Sequence, residues 1–135
     1  MNITTKVLVV RGESHSGKTT VLQMLSQHLQ EFGYTLLSRY EHGNPEGDIY
    51  DLLRSKSKKL VFISTMGDYR NMCVSHFRLT QYHIFNLLVC ACNNDWINVM
   101  QEKIPNAIYF EKEKDKYKDD DDVQKIAQMI EALLK

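Results

Sequence analysis

Glycine, serine and lysine residues that suit anion binding stand close together near the start of the chain, in the run Gly12-Glu13-Ser14-His15-Ser16-Gly17-Lys18-Thr19. Glycine permits a backbone path on which successive amide N–H groups point inward and form a nest for an anion. The ammonium of Lys18 would add a full positive charge to that nest. This spacing therefore indicates a binding site for phosphate groups.

The elements on either side of this run suit such a site. Lys6–Arg11 is a short β-branched and apolar run that stops at Gly12, which predicts a strand buried in a parallel sheet. After Thr19, apolar residues recur at helical spacing until Gly33 supplies a left-handed stop; they are Leu22, Leu25, Leu29 and Phe32. The predicted helix N-terminus would then add its own favourable field for an anion.

Gly12 to Thr19 fits the pattern G-x-x-x-x-G-K-[ST], and with its strand and helix it resembles the P-loop NTPase superfamily. The resemblance implies that a nucleoside triphosphate, ATP or GTP, binds here with Mg²⁺. It implies a catalytic Lys18 at the β- and γ-phosphates and a Thr19 hydroxyl that ligates the metal. The alternative is an ordinary strand-to-helix turn with Lys18 in solvent. The expected nucleotide-binding residues are Gly12, Ser14, His15, Ser16, Gly17, Lys18, Thr19 and Thr20.

Asp68 follows a second apolar strand, predicted at Leu60–Ser64. By resemblance to the acidic metal position of the superfamily, Asp68 would hold Mg²⁺ through water and take part in catalysis. The superfamily pattern ends its apolar run directly in Asp, whereas four residues intervene here. Asp68 as the cap of the next helix is therefore the alternative.

The reaction is less defined than the binding site. Tyr69 stands beside Asp68, where motor and helicase ATPases carry a glutamate, and no arginine follows Arg78 to serve a kinase lid. Arg70 and Arg78 would stabilise charge in transfer if their helix starts beside the loop, and solvated positions are the alternative. Glu41 or His42 is a candidate general base, with a turn role as the alternative.

Three functions follow from these residues. The first is Mg²⁺-dependent binding with hydrolysis or phosphoryl transfer, as in an ATPase or a small-molecule kinase with a phosphoryl acceptor. The second is a non-catalytic, nucleotide-responsive switch that acts through a protein partner. The third is an anion site for a phosphate-bearing cofactor. The sequence leaves adenine or guanine open.

The alternation of elements predicts an α/β fold. We expect one domain over residues 1–135, as a three-layer α/β/α sandwich around a mostly parallel five-stranded sheet, with the Val7 and Val61 strands adjacent. The other predicted elements are strands at 35–40, 85–91 and 107–110, and helices at 48–53, 69–81, 94–103 and from Val123 to Leu134.

Charge and hydropathy limit the partners. The formal net charge is zero over 135 residues, which disfavours a nucleic-acid partner. No stretch has the length of a membrane span and the first residues do not resemble a leader, so we expect no membrane partner and a cytoplasmic location.

Four consecutive aspartates, Asp119 to Asp122, precede the closing helix. Negative charge is favourable at a helix N-terminus, so a solvated helix start is expected, and a divalent cation site is the alternative.

Overall fold

Strands and helices alternate along most of the chain. The computed structural model describes residues 4–68 and 70–135, and of Cys73 the backbone alone. The strands are β1 Lys6–Gly12, β2 Thr35–Glu41, β3 Ile49–Arg54, β4 Leu60–Ser64, β5 Leu87–Asn93 and β6 Ile108–Glu111. The helices are α1 Lys18–Glu31, α2 Arg70–Thr80, α3 Ile97–Lys103 and α4 Asp119–Leu133, with short 3₁₀ turns at Asn94–Trp96 and Lys116–Lys118.

The six strands form one mixed sheet in the order β2-β3-β4-β5-β1-β6. β1 pairs in parallel with β5 and β6, and β4 pairs in parallel with β5. β3 is antiparallel to both of its neighbours, β2 and β4. The α/β class and the mostly parallel sheet are therefore confirmed, with one strand more than the five predicted.

Helices cover both faces of the sheet. On one face, α1 and α4 pack together over a large apolar cluster that includes Leu8, Leu22, Val89 and Ile126. On the other face, a smaller cluster joins Val9 and Leu88 to residues of α3 such as Met100, with Leu79 of α2 at its edge. Sheet and helices thus form three layers.

The helix predicted at Asp48–Leu53 is wrong, because this segment forms β3. Ile49, Asp51 and Leu53 are buried in alternation, which is the period of a strand. The sequence does not show this alternation clearly, because the central inward position is a charged residue, Asp51. Asp51 is buried because it accepts hydrogen bonds from Ser26 and from Nε and Nη2 of Arg39.

The predicted adjacency of the Val7 and Val61 strands is also wrong, because β5 lies between them. Leu87 pairs with Lys6 of β1 on one side and with Val61 of β4 on the other. Every residue of β5 is buried. A strand without a polar face suits the centre of a sheet that is covered on both sides.

The remaining differences are at element ends. β5 begins two residues later than expected and continues to Asn93, whose side chain accepts from the Asp95 amide and caps the next turn. The predicted start of α2, Tyr69, lies outside the described residues. Within the described part of the chain, no helix is long and apolar enough to cross a membrane.

Candidate phosphate-binding site

The loop between β1 and α1 turns sharply at two residues with positive φ. Gly17, the N-cap residue of α1, has a φ of 96°, and His15 has a φ of 61°. The Ser16 amide donates to the Glu13 carbonyl at 3.1 Å, which closes the loop into a tight turn. The N-terminus of α1 thus points into the loop. The first amide N–H groups of a helix have no hydrogen-bond acceptor within the helix, so they face this loop.

Gly12 is required by close packing rather than by its φ angle. A Cβ at this position would lie 2.6 Å from the Ser16 Oγ and 2.8 Å from the Lys112 carbonyl oxygen. The second neighbour is backbone and cannot move away alone. The loop therefore returns directly over the end of β1.

Lys18 is almost buried within the loop, with 5% of its side chain exposed. Its Nζ donates to the Glu13 carbonyl at 2.7 Å and to the Gly12 carbonyl at 3.3 Å. The Asp68 Oδ1 atom is 3.7 Å from the same Nζ. The solvated position of Lys18 in the alternative prediction is thus wrong, because the ammonium is folded inward.

Thr19 faces a carboxylate that the sequence did not assign to the site. Its Oγ1 lies 3.3 Å from Oδ1 of Asp48 and 3.5 Å from the Thr65 carbonyl oxygen. The Thr65 hydroxyl donates to the same Oδ1 at 2.7 Å, and Asn44 Nδ2 donates to Oδ2 at 2.8 Å. The Pro/Gly-rich loop before Asp48 was visible in the sequence, but nothing there indicated that Asp48 returns to Thr19.

Asp68 stands at the mouth of the site. Its side chain is 41% exposed, and its backbone carbonyl accepts from Trp96 Nε1 at 3.0 Å. It contacts Lys18, whereas the carboxylate that contacts Thr19 is that of Asp48. The structure therefore brings the two predicted catalytic residues together but gives Thr19 a different acidic partner.

A cleft of about 290 Å³ opens over the first turn of α1. It is lined by six residues of the predicted binding run, His15, Ser16, Gly17, Lys18, Thr19 and Thr20, together with Glu46, Thr65 and Asp68. Gly12 lies beneath the loop and contributes its carbonyl to Lys18, while Ser14 is exposed on the outer side. Most of the predicted binding residues thus share one polar cleft.

A second polar cleft of about 450 Å³ is lined in part by Asp48, whose carboxylate contacts Thr19 and Thr65 of the first cleft. It lies between α1 and β2, and Glu41 is on its wall with Gln23, Gln27 and Arg39. His42 does not line it: the ring packs edge-on against Tyr40 and Tyr50, with centroids 4.8 and 4.4 Å away. Of the two candidate bases, only Glu41 faces a cleft.

Arginines do not line the first cleft among the described residues. Arg70 and Arg78 are exposed on α2, which agrees with the solvated alternative. Arg11 donates from Nε to Asn94 Oδ1 at 3.0 Å. The described part of the site therefore offers Lys18 as its main cation.

The four aspartates begin α4, and two of them bind a buried lysine. Lys112 Nζ lies 3.0 Å from Oδ1 of Asp119 and 3.1 Å from Oδ2 of Asp122. Burial alone would lower the pKa of Lys112, but the hydrogen bonds to these two carboxylates outweigh it and raise the pKa. A lysine thus occupies the place that a cation site would need. The predicted helix start is confirmed, and Asp120 and Asp121 are exposed as expected. The solvated position is wrong for Asp119 and Asp122, whose side chains are mostly buried because they pair with Lys112.

The donor set around Thr19 suits Mg²⁺. Within the described residues, no three His, Cys, Asp or Glu side chains cluster in a way that would hold a metal alone. Mg²⁺ commonly uses only one or two carboxylates, with water and substrate phosphates completing its six ligands. The Thr19 hydroxyl and the nearby Asp48 carboxylate are oxygen donors of this kind.

Comparison with known proteins assigns no family. No family model matches the chain, and no curated protein matches it significantly. Among solved structures, EndoMS in its apo form is similar over 70% of this chain, with 15% identity and a TM-score of 0.37. The chain spans 46% of that structure's length. At such a TM-score the likeness supports no conclusion about fold family or function.

Proposed function

We propose that this protein binds a nucleoside triphosphate with Mg²⁺ and hydrolyses it or transfers its terminal phosphoryl group. The observation that carries the proposal is the first turn of α1, where the Lys18 ammonium and the Thr19 hydroxyl stand beside one cleft behind a glycine-bounded loop. Phosphates bound there would meet helix amides, the favourable end of the helix dipole and a lysine at once.

Lys18 has an environment in which a phosphate could bind its ammonium. Among the described contacts, its Nζ donates to the neutral carbonyls of Gly12 and Glu13, and the Asp68 Oδ1 atom lies farther away, at 3.7 Å. A phosphate oxygen carries negative charge, and charge-assisted hydrogen bonds are roughly twice as strong as those between neutral groups. A triphosphate would therefore compete well for this ammonium.

The second cleft supports phosphoryl transfer as a form of this activity. It shares Asp48 with the surroundings of Thr19 and carries the polar side chains of Gln23, Gln27 and Glu41. A hydroxyl-bearing small molecule would find hydrogen-bond partners there. Glu41 is the candidate to accept a proton from it.

A nucleotide-responsive switch is the second candidate function. Among the described residues, the phosphate-binding cleft has no arginine to stabilise charge in the transition state. An arginine supplied by a partner protein commonly raises turnover by several orders of magnitude. The isolated chain would then bind the nucleotide with little turnover.

Substitution of Lys18 tests the proposed site. Lys18→Ala should weaken binding of the Mg²⁺–triphosphate complex by about tenfold or more, since one charged hydrogen bond is worth roughly 1.5–3 kcal/mol. Lys125→Ala is the matched control, because Lys125 pairs with Asp121 on the exposed side of α4. Equal affinities for both variants and the parent chain would contradict the assignment.

Phosphate release on the same samples separates the candidate functions. Release by the isolated protein supports a hydrolase. Formation of the nucleoside diphosphate that requires an added hydroxyl compound, with the phosphoryl group found on that compound, supports a kinase. Tight binding without either supports the switch. Binding of phosphate-bearing compounds that depends neither on Mg²⁺ nor on a triphosphate group would favour an anion site for another cofactor.

A further inference from the structure

Asp48 is a buried carboxylate at the edge of the phosphate-binding cleft. Its residue exposure is 8%, and its Oδ1 receives the Thr65 hydroxyl at 2.7 Å and lies 3.3 Å from Thr19 Oγ1. Asn44 holds the second carboxylate oxygen, since its Nδ2 donates to Oδ2 of Asp48 at 2.8 Å. The Oδ1 atom of Asn44 also accepts from the Asp48 amide at 2.9 Å. Two side chains, those of Thr65 and Asn44, thus hold one carboxylate against Thr19.

The reversed direction of β3 brings this carboxylate to the site. Tyr50 of β3 pairs with Ser64 at the end of β4, so the residues before Tyr50 lie beside those after Ser64. Asp48 therefore reaches the carboxyl edge of the parallel strands although it precedes its own strand. A parallel β3 would have placed Asp48 at the opposite edge.

Thr65 and Asp68, which line the cleft with Thr19, do not offer the same contact. Thr65 follows β4 directly but has a hydroxyl, which already donates to Asp48 and accepts from the Ile49 amide at 2.9 Å. Asp68 is 41% exposed and contacts Lys18. Among the described residues, the carboxylate in contact with the Thr19 hydroxyl is that of Asp48.

We propose that Asp48 is the positioning residue for the cation of the bound nucleotide and acts through the Thr19 hydroxyl. This inference rests on the function proposed above. A threonine hydroxyl has one proton and two lone pairs, so donation to Asp48 leaves lone pairs for a metal and fixes their direction. Such outer contacts orient metal ligands, and their loss typically costs 10–100-fold in metal affinity.

The Asn44 contacts extend this role to the loop before β3. Asn44 holds both the side chain and the amide of Asp48, and the Gly47 amide donates to the Asn44 carbonyl at 3.1 Å. Gln23 of α1 also donates to the Gly47 carbonyl. Residues 44–47 are thereby fastened both to Asp48 and to the helix that carries Thr19.

The test measures the dissociation constant of the nucleotide by calorimetry, with and without Mg²⁺. The quantity compared between variants is the dissociation constant without Mg²⁺ divided by the dissociation constant with Mg²⁺. Asp48→Asn keeps the shape of the side chain but removes its charge. It should reduce this ratio by about tenfold or more, with little change in affinity without metal. Mn²⁺ affinity in the presence of nucleotide, followed by its paramagnetic signal, should fall in parallel.

Asp51→Asn is the matched control, because it replaces a buried aspartate on β3 whose partners, Arg39 and Ser26, lie outside the phosphate-binding cleft. It should lower the melting temperature and leave the Mg²⁺ ratio unchanged. Asn44→Ala is a milder second variant at a half-buried loop position. It should lower the ratio severalfold even where Asp48→Asn does not fold.

The outcomes separate this inference from the proposed function. If Asp68→Asn removes the Mg²⁺ dependence while Asp48→Asn and Asn44→Ala keep it, the role of Asp48 is overturned and the proposed function stands. An equal loss in Asp51→Asn would reduce Asp48 to a structural residue. A parent chain that binds no triphosphate overturns both.

Discussion

At the scale of single residues, Gly12 is the position where the loop tolerates least change. A Cβ there would overlap the Ser16 Oγ and the Lys112 carbonyl oxygen. We expect Gly12→Ala to cost roughly 1–3 kcal/mol of stability, because backbone must shift to admit the methyl group. Denaturant unfolding measures this loss, and Gly43→Ala is a control with open space around the added Cβ but a positive φ of 72°.

The two substitutions should also differ in function. Gly12→Ala displaces the phosphate-binding loop between β1 and α1 and should weaken nucleotide binding. Gly43→Ala adds its strain in the segment before β3 and should leave nucleotide binding unchanged. Equal nucleotide affinity in Gly12→Ala and the parent chain would show that the close packing at Gly12 is not needed for the site.

His76 makes stability depend on pH. It is buried, its Nε2 lies 2.9 Å from the Ser64 Oγ, and burial lowers its pKa to about 4. Between the ordinary pKa of 6.5 and this value, the unfolded chain binds a proton that the folded chain excludes. The contribution of His76 is thus complete above about pH 7 and is lost as the pH falls toward 4, at a cost of roughly 3 kcal/mol.

Unfolding by denaturant at several pH values tests this expectation. The free energy of unfolding of the parent chain should fall more steeply between pH 7 and pH 4 than that of His76→Leu, which has no proton to bind. Parallel curves for the two proteins would show that folding does not lower the pKa of His76.

Sequence reasoning found the residues of the site that are close together in the chain. Lys18 and Thr19 follow the loop directly, so their chemistry could be predicted from spacing. Asp48 is 29 positions away from Thr19, and its contact depends on the direction of β3. That direction could not be predicted, because the segment was interpreted as a helix.

At the scale of elements, Lys112 fastens the start of α4 to the phosphate-binding loop. Its Nζ binds Asp119 and Asp122 of α4, and its carbonyl oxygen lies against Gly12. Lys112→Met should destabilise the fold by about 3 kcal/mol or more, because two partly buried carboxylates lose their counter-charge. Lys118→Met is the control, since Lys118 pairs with Glu113 in solvent.

Thermal melting of the two variants measures this difference. A melting temperature of Lys112→Met equal to that of Lys118→Met would mean that the ion cluster does not stabilise the junction between β6 and α4.

Most element predictions held, and the clearest were those with a regular apolar period. β1, β4, α1 and α4 show clean strand or helix spacing, and their positions were predicted to within a few residues. β3 was missed because Asp51 interrupts its inward-facing positions, and only the partners Arg39 and Ser26 make its burial tolerable. Such compensation joins distant parts of the chain.

At the scale of the whole molecule, both polar clefts lie along one edge of the sheet. The carboxyl ends of β1 and β4 meet the start of the reversed β3 there, which gathers Lys18, Thr65 and Asp48. The strand order was not predictable from the sequence, because short parallel strands pair with any neighbour whose faces are equally apolar. Because every residue of β5 is buried, this strand lies in the interior of the sheet, between β4 and β1.

Ligand binding should stabilise the entire fold. A ligand that binds only the folded chain adds about 3 kcal/mol at a concentration of 100 times its dissociation constant. We therefore expect Mg²⁺ and a triphosphate together to raise the melting temperature by several degrees in the parent chain and much less in Lys18→Ala. An equal rise in both would place the ligand elsewhere.

The most direct test of the central claim is a calorimetric titration of the parent chain with ATP and with GTP, each in the presence and absence of Mg²⁺. We predict saturable one-to-one binding of at least one nucleotide, tightened by Mg²⁺. Absence of binding for both nucleotides under both conditions would contradict the account.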